Sequence, residues 1–96
     1  MTRKDYVSKL YHDTEAQLFI LPLGEEKAFI QYHKEGDTFY LSHSEVPRHL
    51  RGQNIGKQLV DQTFAYIQEH GLKAVALCSY IKLIRDRNSE WRALIG

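Results

Sequence analysis

Ile55, Leu59, Val60, Phe64 and Ile67 recur at the three- and four-residue steps of one helix face. They follow directly on Arg51-Gly52-Gln53-Asn54-Ile55-Gly56-Lys57, a short basic loop with two glycines. An alternating run, Thr38-Phe39-Tyr40-Leu41-Ser42-His43, leads into that loop through Glu45-Val46-Pro47. Strand, tight loop and helix start is a restrictive order. The first N–H groups of a helix have no partner inside it, and the helix dipole favours an anion there. The stretch therefore points to a bound phosphate group.

The chain reads around that centre. Ala16 to Leu21 is short and apolar and ends at Pro22-Leu23-Gly24, a first strand closed by a turn. Lys27 to Tyr32 forms a second strand, and Lys34-Glu35-Gly36-Asp37 a turn. Phe39 to Val46 is the third, which Pro47 ends because proline cannot donate to a ladder. The long helix runs from Ile55 to His70, with Gly71 placed for a left-handed C-cap. Lys73 to Cys78 is a further strand, parallel to the third through a right-handed crossover. Ile81, Leu83 and Ile84 among Lys82, Arg85, Asp86 and Arg87 mark a short helix. Asn88 to Trp91 reads as a turn whose tryptophan anchors on the body. Residues 1 to 14 are polar, with Tyr6, Val7, Leu10 and Tyr11 interspersed, and are either a frayed helical turn or an irregular lead-in. The expected architecture is α/β (α+β): a three-strand antiparallel meander, a β-α-β unit and a short C-terminal helix.

At 96 residues this is one domain, 1–96, with a thin core to which homodimerisation would add buried area. A formal net charge of +1 provides no global field to recruit nucleic acid. The basic group Lys82, Arg85 and Arg87 is read first as a solvated helix face. The single cysteine, Cys78, excludes an internal disulfide and suits a reducing compartment. No apolar segment follows the N-terminus as a signal peptide, and no run approaches the ~18 apolar residues of a membrane helix. A cytoplasmic protein without membrane contact is expected. His12, His33, His49 and His70 have no metal-ligand spacing with Cys78, so no metal is expected.

Two phosphate-binding families fail on the loop. The nucleotide-binding P-loop needs one more residue between the glycines and a Ser or Thr after the lysine. The dinucleotide fingerprint needs a second glycine two residues after the first. Arg51-Gly52-Gln53-Asn54-Ile55-Gly56 instead resembles the Q/R-x-x-G-x-G/A signature of the GNAT superfamily of N-acetyltransferases. Its fourth position, normally glycine, is Asn54, a residue that tolerates left-handed φ. His43 to Pro47, Leu50-Arg51-Gly52, Gly56, Gly71-Leu72-Lys73 and Leu77-Cys78-Ser79-Tyr80 together resemble the small single-domain GNAT-like family over residues 16 to 91.

That resemblance implies acetyl-CoA as cofactor and an amine, of a small molecule or a protein, as acceptor. Backbone groups at Ser44, Glu45 and Val46 would hold the pantetheine arm and polarise the thioester. Arg51, Gly52, Gln53, Asn54, Ile55, Gly56 and Lys57 would hold the pyrophosphate, mostly by main-chain amides. Cys78 is either a buried small hydrophobe or, as the resemblance implies, the residue that receives the acetyl group. A thiol with pKa near ~8.5 needs help at neutral pH. His43 and Glu45, which period-2 geometry puts on one face, are candidate bases from the facing strand. The other reading of His43 is a histidine satisfied by a backbone partner. Tyr80 reads as a core or cofactor-packing residue and stands early for a general acid. A non-catalytic acyl-CoA-binding module or partner subunit is the alternative function, since the chain lacks the elements that usually build an acceptor pocket.

Overall fold

In a computed structural model that describes residues 9–96, the alternating runs form one five-stranded sheet in the order β1-β2-β3-β4-β5. The strands are β1 (Tyr11–Asp13), β2 (Leu18–Leu23), β3 (Glu26–Glu35), β4 (Thr38–Glu45) and β5 (Lys73–Ala76). The first four make an antiparallel meander, and β5 runs parallel to β4 after α1 (Ile55–Glu69). Two helices, α2 (Ser79–Asp86) and α3 (Ser89–Leu94), follow. The mixed α+β architecture is the expected one.

Its meander has four strands rather than three. Tyr11–Asp13 adds an edge strand where a helical turn or irregular lead-in was expected; the rest of that lead-in, residues 1–8, lies outside the described residues. Three residues are too few for alternation to show, and tertiary contacts hold them. His12 stacks on Phe19 at 4.4 Å between ring centroids. Its Nε2 and Nδ1 hydrogen-bond with the hydroxyls of Tyr32 and Tyr66 at 2.6 and 3.2 Å. The expected turn at Asn88 is the cap of α3, the Asn88 side chain accepting the Glu90 N–H at 2.8 Å. Trp91 does anchor on the body: its ring meets Phe64 at 5.5 Å, and its indole N–H donates to Asp61 Oδ1 at 3.1 Å.

The periodic face of α1 supplies much of the core. Ile55, Leu59, Val60, Phe64 and Ile67 are at most 1% exposed, and each such burial contributes about 1.5–3 kcal/mol. Packing on the sheet, more than helix propensity, therefore holds α1. Beyond it the Leu72 N–H bonds the Ile67 carbonyl at 2.9 Å, with Gly71 at φ +63°, so the expected glycine cap is present. At the outer edge of β5 the Ala76 N–H donates to the Gly96 carbonyl at 3.0 Å, and the Gly96 N–H to the Ala74 carbonyl at 2.9 Å. Arg85 Nη1 donates to the same Gly96 carbonyl at 2.6 Å.

One irregularity positions the site. Tyr32 pairs with Leu41 and Gln31 with His43, which leaves Ser42 as an extra residue in β4. Such a bulge switches the side-chain alternation. Phe39 and Leu41 face the core; past the bulge it is Ser44, opposite the buried Ile30, that points the same way. Pairing between β4 and β5 stops at Leu41 and Ala76. There the Leu41 carbonyl accepts both the Leu77 and Cys78 N–H groups, at 2.9 and 3.2 Å. Beyond this fork β4 continues without β5, and a cleft opens.

Candidate active site

The cleft has a volume of about 550 Å³. Ser44, Glu45 and Val46 line its strand side; Arg51, Gly52, Asn54, Ile55 and Gly56 line the loop and helix side; Leu59 and Tyr80 close it. After β4 a single 3-10 turn, Arg48–Leu50, redirects the chain, its Leu50 N–H bonding the Pro47 carbonyl at 2.9 Å. Gly52 at φ +85° and Asn54 at φ +65° both take left-handed backbone, so the loop closes with asparagine at the position where the signature has glycine. Asn54 makes no side-chain cap on α1, and the first turn of α1 carries no acidic residue. Among the described residues its leading amides thus have no side-chain cap, and the first turn itself carries no carboxylate to repel an anion. Donors at one end, and Val46, Ile55 and Leu59 along the walls, fit a phosphorylated ligand with a long, largely apolar arm.

Of the residues expected at the pyrophosphate, Gln53 and Lys57 do not line the cleft. The Lys57 ammonium pairs instead with the Asp61 carboxylate one turn along α1, the ordinary i,i+4 arrangement. Arg51 does line it, with Nε donating to the Val46 carbonyl at 3.3 Å, a bond that ties the loop to the end of the strand.

Cys78 is the N-cap of α2 rather than the last residue of β5. Its Sγ lies 3.4 Å from Ser44 Oγ. Burial pushes the thiol pKa up, and this is the largest single influence. The Ser44 hydroxyl, the Ile81 and Tyr80 amides at the start of α2 and the Ser44 backbone together outweigh it, so the thiol sits below its ordinary value. Cys78 is thus a partly buried free thiol at a helix N-terminus, with donors around its sulfur.

His43 and Glu45 do share a face, as alternation requires, but it is the face turned away from Cys78. They pair with Gln31 and Phe29 across the ladder, while Ser44 pairs with the buried Ile30. Their side chains bond each other, His43 Nε2 to Glu45 Oε1 at 3.1 Å, and both are about half exposed. The expectation that their side chains face Cys78 is corrected by the bulge at Ser42, which hands that position to Ser44. From the sequence only the backbone of Ser44 has an expected role, and alternation alone gives no signal for its side chain. Leu59 and Tyr80 are the other two residues that the loop signature does not mark. Leu59 reads as core in the sequence, and Tyr80, read there as a core or cofactor-packing residue, lines the cleft. Burial raises the Tyr80 pKa, so its hydroxyl stays protonated at neutral pH.

Known proteins resemble the chain as follows. A family described as GCN5-related N-acetyl-transferase matches residues 18–94. Protein NATD1 of Danio rerio is 34% identical over 83 residues, covering 83% of this chain and 76% of that protein. Protein NATD1 of Xenopus tropicalis is 32% identical over 77 residues, covering 77% of this chain and 71% of that protein. The solution NMR structure of a GCN5-like protein from Staphylococcus aureus superposes with a TM-score of 0.68 at 21% identity, over 97% of this chain and 91% of that one. At that identity the last match speaks for the fold alone.

Proposed function

This chain belongs to the family of GCN5-related N-acetyltransferases, and from that premise we propose that it binds acetyl-CoA in the cleft and passes the acetyl group to an amine by way of Cys78. The observation that carries the proposal is the junction of two helix starts on one strand end. The uncapped start of α1 lies across the cleft from Ser44, and Cys78, at the start of α2, bonds Ser44 from the other side.

The residues divide the work. Amides of Gly52 to Gly56 and the first turn of α1 hold the diphosphate. Backbone groups of Ser44, Glu45 and Val46 hold the arm and polarise the thioester. The Cys78 thiolate, supported by Ser44 and the α2 amides, attacks the thioester carbonyl carbon. A carbon–sulfur bond to Cys78 forms, the bond to the CoA sulfur breaks, and that sulfur leaves as thiolate and takes a proton from water. The neutral amine then attacks the acetyl-cysteine carbonyl; the amide forms, the amine loses a proton to water, and Cys78 returns as thiolate. His43 and Glu45, on the far face, take no part in the first step.

Mass spectrometry after incubation with acetyl-CoA tests this. One acetyl adduct is expected, absent in Cys78→Ala; no adduct on the unaltered protein overturns the route through Cys78. That His43 and Glu45 are turned away from Cys78 favours a second reading, an acyl-CoA-binding module without turnover. Release of free CoA thiol with a panel of amines separates the two, because stabilisation by CoA is common to both.

A further inference from the structure

The Gly56 Cα is not bare on the ligand's account alone. A Cβ built there would stand 2.9 Å from the Tyr80 hydroxyl and 3.1 and 3.2 Å from two ring carbons of Tyr80, with those ring atoms its nearest neighbours. The phenol of α2 thus lies directly on the second residue of α1, and it lines the same cleft. Tyr80 is also two residues beyond Cys78 and gives that thiol one of its backbone hydrogen bonds. One side chain therefore spans from the anion-holding helix start to the helix start that carries the nucleophile.

We infer that Tyr80 is a positioning residue: its phenol, seated on Gly56, is the wall that presses the ligand arm toward β4 and Cys78, and residue 56 is glycine to provide that seat. The inference rests on the reading of the cleft as a CoA site. A methyl group at position 56 meets the far end of a flexible side chain, not backbone. Gly56→Ala should therefore fold normally, with alanine the better helix former, yet push the phenol out of place. Tyr80 is 38% exposed, so its truncation is tolerable as well.

A double-mutant cycle tests the coupling. The probe is desulfo-CoA, which carries the diphosphate and the arm but no sulfur to react. Its affinity is measured by calorimetry on the unaltered protein, Gly56→Ala, Tyr80→Ala and the double variant. Gly56→Ala is expected to weaken binding on the order of tenfold with Tyr80 present and less than about twofold in the Tyr80→Ala background. Equal losses in both backgrounds overturn the inference, since the methyl group would then be obstructing the ligand directly. Alkylation of Cys78 by iodoacetamide at saturating desulfo-CoA gives a second readout that a merely structural role would not move. The ligand should shield Cys78 in the unaltered protein and in Tyr80→Phe, which keeps the ring, and shield it less in Tyr80→Ala. Equal shielding in all three refutes the positioning role even where the affinities differ. An unaltered protein that does not bind desulfo-CoA removes the CoA site itself, a failure distinct from loss of the coupling.

Discussion

Ser44→Ala should slow the chemistry of Cys78 at neutral pH and speed it at alkaline pH. The serine hydroxyl lies 3.4 Å from the sulfur and holds the thiol pKa down. A hydrogen bond to a charged acceptor contributes about 1.5–3 kcal/mol. Here the acceptor is a large sulfur, and Cys78 is only partly buried, so solvent screening reduces the figure to about 1 kcal/mol. That amounts to roughly fivefold less thiolate at neutral pH. The more basic thiolate is the better nucleophile, with a Brønsted slope of about 0.4–0.5, which restores roughly twofold. The net expectation is alkylation by iodoacetamide slowed about two- to threefold near neutrality. Where both proteins are fully thiolate the sign reverses, and the variant reacts about twofold faster. Rate against pH, with mass spectrometry to confirm Cys78 as the site, measures both limbs. Superimposed profiles would refute the claim that Ser44 supports the thiolate; a uniform offset without a crossing would point to access instead.

Gly56→Glu should abolish CoA binding by calorimetry, because the side chain meets the Tyr80 phenol and sets a carboxylate at the start of α1; unchanged affinity refutes the phosphate-loop reading. His12 is held below its ordinary pKa, first by burial. Its protonation therefore disfavours the folded state: stability is complete above the unfolded value of about 6.5 and falls as pH drops below it. Thermal melts of His12→Phe should show a weaker acid-side decline than the unaltered protein, and an equal decline assigns it to other groups. Asn54→Val should cost about 1–2 kcal/mol through left-handed strain, while Asn54→Gly should be neutral or stabilising, both read by denaturant titration. Asp61→Ala removes the acceptor of both Lys57 and the Trp91 indole and should cost about 1–3 kcal/mol, with a shift in tryptophan emission as α3 loosens.

What was legible in the chain follows from how far each signal is local. The α1 face is written in five residues whose spacing has one solution, and all five are buried. The loop was legible because left-handed φ at Gly52 and Asn54 depends on residue type. β1 was not, since it is fixed by His12 reaching Tyr32 and Tyr66, 20 and 54 residues away. The bulge at Ser42 has no residue signature, yet it decides whether His43 or Ser44 looks toward Cys78. Lys57 reads as a phosphate ligand in the sequence, but its i,i+4 neighbour claims it.

The bonds between Gly96 and β5 bear on strand addition between two copies of this chain. On that flank the polar groups of β5 next to Val75 are already engaged by the chain's own backbone, and Ile95 beside them is only 4% exposed. A partner strand added there must first evict this plug and hydrate an isoleucine, at a cost of about 1.5–3 kcal/mol before any new contact forms. The flank beside β5 is thereby sealed against runaway strand addition.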